Sequence, residues 1–194
     1  MNEPLAGVVV DLGLAGLDEL IPAVEVMIQQ GLTTFVIAAK NPEFSTLNSI
    51  FGSRVRFGVN RIKSTDQADD AIAAGASFVL FDGAKEEFAD PKSPVANYLS
   101  ALTPTEIAAV AELPVSGVQI YPADTFGPNY ADALAKLELI DRCIPASGIT
   151  SYAAGRWFDA GAPAVLVAEQ LLGDALTGGD LGALRERCTS YITG

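Results

Sequence analysis

A repeated unit constrains the fold of this 194-residue chain more than any other feature. Three times, an apolar helical pattern ends at a glycine, a short turn follows, and a continuously apolar stretch begins. The three glycines are Gly31, Gly75 and Gly161, which lie 44 and 86 positions apart. A left-handed residue at the end of a helix favours glycine there. Two and four units of about 22 residues account for these gaps, and eight such units nearly fill the chain.

Short runs rich in Val, Ile and Phe predict strands that are buried on both faces, as in a parallel sheet. We predict eight strands: Gly7–Asp11, Thr34–Ala39, Val55–Asn60, Phe78–Asp82, Asn97–Leu102, Val115–Tyr121, Asp141–Ala146 and Ala164–Ala168. Helical periodicity and capping residues predict helices between them. These helices are Asp18–Gln30, Glu43–Phe51, Asp66–Ala74, Thr103–Glu112, Tyr130–Leu139, Ser151–Ala160 and Leu181–Tyr191. The polar stretch Ala84–Pro94 is predicted to be a loop in place of a helix.

This alternation predicts one compact (β/α)₈ barrel, a single domain that spans residues 1–194. A doubly wound open sheet is the alternative. The Gly-x-Gly-x-x-Gly fingerprint of dinucleotide-binding folds does not follow the first strand, and we expect no cofactor.

Composition excludes several classes of function. The chain has no histidine, so Ser-His-Asp and Cys-His catalysis and histidine-based metal sites are excluded. It has 12 basic and 24 acidic residues, and phosphate groups repel so acidic a surface. We therefore expect neither nucleic acid nor an anionic membrane as a partner. The sequence shows neither a signal-peptide pattern nor a membrane-spanning stretch, so we expect a cytoplasmic protein with two reduced cysteines.

The C-terminal ends of the strands are where barrels of this kind carry their chemistry. The polar residues predicted there include Asp11, Lys40, Asn60, Arg61, Asp82, Gln119, Tyr121, Asp124, Ser147, Gly148, Glu169 and Gln170. Lys40 is a candidate amine nucleophile or carboxylate-binding residue, and Arg61, near Lys63, is a candidate for binding a carboxylate or a phosphate. Asp11 and Asp82 are candidates for acid–base work or for a divalent cation. Ordinary solvation and charge balance are the alternatives for these residues, and for Asp124 the alternative is that it caps the next helix.

The loops after strands seven and eight form a common phosphate site in barrels. Ser147 and Gly148 precede a helix, and backbone N–H groups in such a loop bind anions. Glu169 places a carboxylate on the loop after strand eight, where it repels a dianion. We therefore expect no phosphorylated ligand at this position.

Four segments carry a family resemblance: Leu20–Ala23, Ala73–Val79, Gln119–Ala123 and Ser147–Thr150. With them, the stretch from Val8 to Leu172 resembles the class I 2-keto-3-deoxy-6-phosphogluconate (KDPG) and 4-hydroxy-2-oxoglutarate aldolases. The resemblance implies a (β/α)₈ barrel that is usually trimeric and binds a small 2-oxo acid or sugar acid.

The family's chemistry depends on two residues that this chain replaces. A lysine on strand six forms an imine with pyruvate, and a glutamate on strand two moves protons. By resemblance these positions fall on Gln119 and Val36, and the family's carboxylate-binding arginine falls on Lys40. The resemblance thus implies a possible pseudoenzyme, inactive as a class I aldolase and kept for binding or assembly.

Two alternatives stay open. An active lyase on a 2-oxo acid or sugar acid would use a relocated amine, Lys40 or Lys63, or a metal held by Asp11 and Asp82. An isomerase or synthase would use Asp82, Asp124 and Gln119. We predict catalytic positions at Lys40, Gln119 and Asp82, with no metal among the assigned sites. We predict substrate-binding positions at Arg61, Asn60, Tyr121, Ser147, Gly148 and Glu169.

Overall fold

Strands and helices alternate along residues 3–192, which the computed structural model describes. The strands are β1 Gly7–Asp11, β2 Thr34–Ala38, β3 Arg56–Ile62, β4 Phe78–Phe81, β5 Ala96–Ala101, β6 Gly117–Ile120, β7 Cys143–Pro145 and β8 Ala164–Val167. The helices are α1 Leu17–Gln29, α2 Phe44–Phe51, α3 Thr65–Ala73, α4 Pro104–Ala111, α5 Tyr130–Lys136, α6 Ser151–Ala160, α7 Glu169–Leu172 and α8 Leu181–Ile192. Short 3₁₀ turns cover Glu86–Phe88, Ala123–Thr125, Ile140–Arg142 and Ala175–Thr177.

The sheet closes on itself. All strands are parallel, and β1 to β7 pair in chain order. β1 also pairs with β8, where Val8 lies opposite Val165. A single bridge between Ala146 and Leu166 links the end of β7 to β8. The structure is therefore a nearly closed (β/α)₈ barrel, which confirms the fold predicted from the repeat.

The predicted elements agree closely with the structure. Each of the eight predicted strands is present, with both ends within two residues of the observed bounds. The stretch Ala84–Pro94 has only a 3₁₀ turn, which confirms a loop in place of a helix. One element was missed: Glu169 and Gln170 do not merely follow β8 but open the short helix α7.

The repeat glycines have the backbone conformation that the sequence predicts. Gly31, Gly75 and Gly161 have φ values of +89°, +98° and +106°. Residues with a Cβ atom rarely adopt this left-handed region, so glycine lets the chain leave a helix and enter the next strand. The start of α4 is equally well explained, because Thr103 and Glu106 form a capping box there.

Apolar side chains fill the barrel interior below the C-terminal end. They are Leu5, Val9, Val36, Phe78, Leu80, Ala96, Tyr98, Ile144, Ala146, Ala164 and Leu166. The backbone N–H of Leu5 donates to Tyr98 Oη over 2.7 Å, so the N-terminal segment covers this core. A Cβ atom on Gly58 would overlap the ring of Phe78, which explains why β3 has glycine there.

β3 carries an irregularity that shapes the mouth of the barrel. Its segment from Val59 to Ile62 is one residue longer than the β4 segment with which it pairs, and Arg61 has a φ of +58°. Such a bulge redirects side chains. Val59 and Ile62 stay in the core between sheet and helices, while Asn60 and Arg61 both line the mouth.

The helices surround the barrel and bury their apolar faces against it. Trp157 of α6 and Cys188 of α8 belong to this outer core. Within residues 3–192, no helix combines the length and apolar character needed to cross a membrane.

Candidate functional site

A cavity of about 170 Å³ opens at the C-terminal end of the barrel. Its lining consists of Asp11, Asn60, Arg61, Asp82, Gln119, Tyr121, Ala146, Ser147, Gly148, Leu166, Ala168, Glu169 and Gln170. The structure thus brings together the six predicted substrate-binding residues and two of the three predicted catalytic positions, Gln119 and Asp82. Strand ends far apart in sequence meet here because the barrel is closed.

Asp11 is the buried carboxylate of this cavity, with 7% of its surface exposed. Its Oδ1 accepts from the Gly13 N–H over 2.9 Å, and its Oδ2 accepts from Asn60 Nδ2 over 2.8 Å. Arg61 Nη2 lies 3.9 Å from Oδ2. Burial raises the pKa of Asp11, and the charge of Asp82 adds to this, while the two hydrogen bonds and Arg61 act in the opposite direction.

The side chain of Asn60 leaves one polar atom without a partner. Asn60 is only 3% exposed, and its Nδ2 faces Asp11. Its buried Oδ1 has no hydrogen-bond partner among the residues that the structure describes. A buried acceptor left unpaired costs about 1–3 kcal/mol, so such atoms mark positions that a ligand or an ordered water completes.

Gln119 lies on β6 with 6% of its surface exposed. All five lysines belong to the described part of the chain, and none of them lines the cavity: Lys40, Lys63, Lys85, Lys92 and Lys136. Lys40 is exposed in the turn after β2, and Lys63 is exposed before α3. The cavity therefore presents a carboxamide on β6 and no lysine amine.

The loop after β7 combines left-handed backbone with a nearby carboxylate. Ser147 and Gly148 have φ values of +78° and +65°. Ser147 Oγ donates to Asp124 Oδ1 over 3.1 Å, and a Cβ atom on Gly148 would overlap Asp124. α6 begins three residues after Gly148, with Thr150 as its cap. The loop is tightly packed against Asp124, and this negative charge disfavours a phosphate at the loop.

Charge in the cavity is unbalanced. Three carboxylates, Asp11, Asp82 and Glu169, line it, and Arg61 is the one cation in the described lining. The Arg61 side chain is 53% exposed, and its guanidinium makes no hydrogen bond within residues 3–192. Arg61 thus keeps its donors available, since a distance of 3.9 Å to Asp11 is too long for a hydrogen bond.

Similar barrels are known among solved structures. A KDPG aldolase from Legionella pneumophila, with pyruvate captured as a covalent carbinolamine intermediate, superposes with a TM-score of 0.82 at 16% identity, over 96% of this chain and 94% of that one. A 4-hydroxy-2-oxoglutarate/2-dehydro-3-deoxyphosphogluconate aldolase superposes with a TM-score of 0.80 at 24% identity, over 95% and 92% of the two chains. This chain has the KDPG aldolase fold.

A further match is a cube-shaped protein cage designed by fusing symmetric oligomeric domains, with a TM-score of 0.82 at 18% identity. It covers 97% of this chain and 71% of the cage protein. No family model matches the sequence, and a search of curated proteins found no match. The resemblance seen in the sequence is thus confirmed as a likeness to the KDPG aldolase fold.

The two cysteines of this barrel, which has the KDPG aldolase fold, lie away from the mouth. Cys143 and Cys188 are free and buried, and burial raises the pKa of Cys143 to about 12. Neither cysteine lines the cavity. Among residues 3–192, no three His, Cys, Asp or Glu side chains are grouped as metal ligands.

Sequence reasoning missed a depression of about 340 Å³ that adjoins the mouth and shares Asp11, Arg61, Ala168 and Glu169 with it. Its remaining lining is mostly apolar and consists of Leu12, Gly13, Leu14, Ala15, Leu172, Gly173, Leu176 and Thr177. The pattern Asp-Leu-Gly, which starts at the last residue of β1, indicates only the turn at the edge of this depression, because an Asp side chain that accepts from the N–H two residues later forms a recognisable turn.

Proposed function

We propose that this chain is a divergent relative of the KDPG aldolases that binds a small carboxylate at the barrel mouth and does not act as a class I aldolase. The family resemblance implies a 2-oxo acid or a sugar acid as the ligand. The observation that carries the proposal is the Gln119 carboxamide in the cavity lining, at the strand-six position where the family has its lysine.

Imine formation requires a nitrogen lone pair that can attack the keto carbon. The amide nitrogen of Gln119 shares its lone pair with its own carbonyl, so it cannot form the imine. Val36, at the position of the family's proton-shuttling glutamate, is fully buried in the barrel interior and carries no proton to transfer. Nucleophile and proton shuttle are therefore replaced together.

The mouth nevertheless keeps features of a binding site. Arg61 offers a planar set of N–H donors that fits a carboxylate. The Oδ1 atom of Asn60 is an acceptor with no hydrogen-bond donor among the described residues. Arg61 and Ser147 have positive φ values. For a residue with a Cβ atom, such a strained backbone conformation costs about 1–3 kcal/mol of folding free energy. Strain of this kind is concentrated at functional sites, and this supports ligand binding at the mouth.

The active-lyase alternative has less support. Its amine version needs Lys40 or Lys63 at the substrate, and both side chains are exposed outside the cavity lining. Its metal version needs Asp11 and Asp82 as ligands, but both Asp11 oxygens already accept hydrogen bonds. The isomerase alternative keeps Asp82 and Gln119 in the cavity, but its third residue, Asp124, is not in the described lining.

An assay of aldol cleavage tests the loss of activity. The protein is incubated with KDPG or 4-hydroxy-2-oxoglutarate, and released pyruvate is measured by coupling to lactate dehydrogenase. We expect no release above background. Turnover that is lost in Lys40→Ala or Lys63→Ala, or lost with a chelator, would overturn the proposal and identify which version of the lyase operates.

Calorimetry with pyruvate and gluconate tests the binding half of the proposal. We expect binding that weakens about tenfold in Arg61→Met, because the variant loses its charge-assisted hydrogen bonds to the carboxylate. Arg54→Met is the matched control, since Arg54 pairs with Glu25 on the surface outside the cavity. Equal effects of the two substitutions would contradict a carboxylate site at Arg61.

We also propose a single domain over residues 1–194, a cytoplasmic location and a homotrimer. The trimer follows from the family resemblance, and a cage of fused symmetric oligomeric domains contains a barrel of this fold, which supports an oligomer. Sedimentation analysis of the purified protein checks this, and a monomer at high concentration would contradict it.

A further inference from the structure

Carboxylates outnumber cations in the described cavity lining, three to one. Asn60, whose buried Oδ1 is unpaired, lines the cavity together with the carboxylates of Asp11, Asp82 and Glu169. Such a surface stabilises a ligand that brings N–H groups and a positive charge. The keto oxygen of a 2-oxo acid is itself an acceptor, so it leaves the Asn60 oxygen unpaired.

Arg61 supplies hydrogen-bond donors and a positive charge in the same cavity. Its guanidinium has five N–H donors, and none of them is engaged in a hydrogen bond within the described residues. The nearest charged atom is Asp11 Oδ2 at 3.9 Å. A ligand that carries a carboxylate next to an ammonium group can therefore satisfy Arg61 and the acceptors at once, without adding net charge to an acidic mouth.

An apolar surface begins where these charged groups end. The adjoining depression of about 340 Å³ shares Asp11, Arg61 and Glu169 with the mouth. Leu14, Leu172 and Leu176 contribute to its walls, and Leu14 is 68% exposed. A ligand anchored at the mouth can extend an apolar group along these leucines and remove them from water.

We propose that the mouth and the adjoining depression bind an α-amino acid with an apolar side chain. The ammonium group donates to Asn60 Oδ1 and the neighbouring carboxylates, the carboxylate accepts from Arg61, and the side chain lies against Leu14, Leu172 and Leu176. The inference rests on the proposed function, because both place a carboxylate ligand at Arg61, and it adds that an apolar amino acid binds there more tightly than a 2-oxo acid.

Matched ligands test each group of the amino acid. Leucine, methionine and phenylalanine are each compared by calorimetry with the corresponding 2-oxo acid, with the corresponding amine lacking the carboxylate, and with glycine. We expect at least one of the three amino acids to bind ten times more tightly than its three comparison ligands. Specific binding should also raise the melting temperature in proportion to the logarithm of free ligand concentration.

Matched variants test the location. Leu14→Ser should weaken binding of the preferred amino acid at least threefold and leave alanine binding unchanged. Leu137→Ser, at another exposed leucine outside both depressions, should change neither. Arg61→Gln should weaken binding of the amino acid but not of its amine counterpart.

The outcomes separate this inference from the proposed function. The inference is overturned if a 2-oxo acid binds as tightly as its amino acid, or if none of the three amino acids binds. The carboxylate site of the proposed function is then still tested separately by the calorimetry with pyruvate and gluconate. Aldol cleavage overturns the proposed function whatever the amino acids do.

Discussion

Asn60 Nδ2 donates to Asp11 Oδ2 over 2.8 Å, so a neutral amide and a buried carboxyl group form one unit at the barrel mouth. The hydrogen bond fixes the orientation of the amide. An ionised carboxylate can only accept hydrogen bonds, so the NH₂ group of Asn60, and not its oxygen, faces Asp11. The amide oxygen consequently faces away from Asp11 and has no partner among the described residues. The ionisation of Asp11 therefore bears on both stability and binding.

Stability should depend on pH through Asp11. Burial raises its folded-state pKa above the ordinary value of 3.8, so the folded protein retains this proton to higher pH than the unfolded chain does. Its contribution to the free energy of unfolding is then fully present below 3.8 and is lost as the pH rises through the folded pKa. We therefore expect the stability of Asp11→Asn, relative to wild type, to increase as the pH rises from 3.8 to the folded-state pKa of Asp11.

Urea unfolding of both proteins at a series of pH values measures this difference. The charge of Asp82 contributes to the raised pKa of Asp11. The pH range over which the stability difference changes should therefore narrow when both proteins also carry Asp82→Asn. A stability difference that stays constant across the series would contradict the assignment of a raised pKa to Asp11.

Gly58→Ala should destabilise the barrel by about 1–3 kcal/mol, as overpacking of a filled core does. The new Cβ atom would overlap the ring of Phe78, which is fully buried in the barrel interior. Gly155→Ala is the control, because it adds a methyl group in open space within α6 and should stabilise by about 0.5–1 kcal/mol. Chemical denaturation checks both, and equal effects would mean that the interior is not filled as described.

Tyr98→Phe should lower the free energy of unfolding by about 1–3 kcal/mol, since it leaves the buried N–H of Leu5 without an acceptor. Tyr152→Phe removes a hydroxyl group from an exposed tyrosine and should change stability by less than about 0.5 kcal/mol. Thermal and urea unfolding compare the two. Similar losses would show that Tyr98 does not hold the N-terminal segment.

Gly148→Ala should weaken ligand binding as well as stability. Gly148 combines a φ of +65° with a position where a Cβ would overlap Asp124, whereas Gly127 has a φ of +69° and open space around it. Gly127→Ala therefore carries only the backbone cost, of the order of 1–2 kcal/mol. We expect calorimetry to show reduced pyruvate or gluconate affinity in Gly148→Ala alone. Unchanged affinity would mean that the loop after β7 does not contribute to the site.

Much of the fold could be predicted because its determinants are local. The apolar runs of β1 and β8 and the left-handed glycines Gly31, Gly75 and Gly161 act over a few residues, so the sequence alone contains them. The composition of the mouth was also predictable, because a closed parallel barrel gathers the C-terminal strand ends at one side.

The remaining features depend on tertiary contacts. The bulge at Arg61 depends on how β3 pairs with β4, and no glycine marks its positive φ. Lys40 follows a predicted strand end, yet the turn after β2 leaves it exposed and outside the cavity lining, so its catalytic role stays a prediction. The oxygen of Asn60 is left unpaired because the NH₂ group of the same amide donates to Asp11, which lies 49 positions away in the sequence.

Borohydride reduction in the presence of pyruvate, followed by mass spectrometry of the intact protein, tests the loss of imine chemistry most directly. A KDPG aldolase treated in parallel should gain one reduced pyruvate adduct. We predict that this chain keeps its unmodified mass, because Gln119 replaces the amine and no lysine lines the cavity. A stoichiometric pyruvate adduct on this chain, above all one mapped to Lys40 or Lys63, would contradict the account.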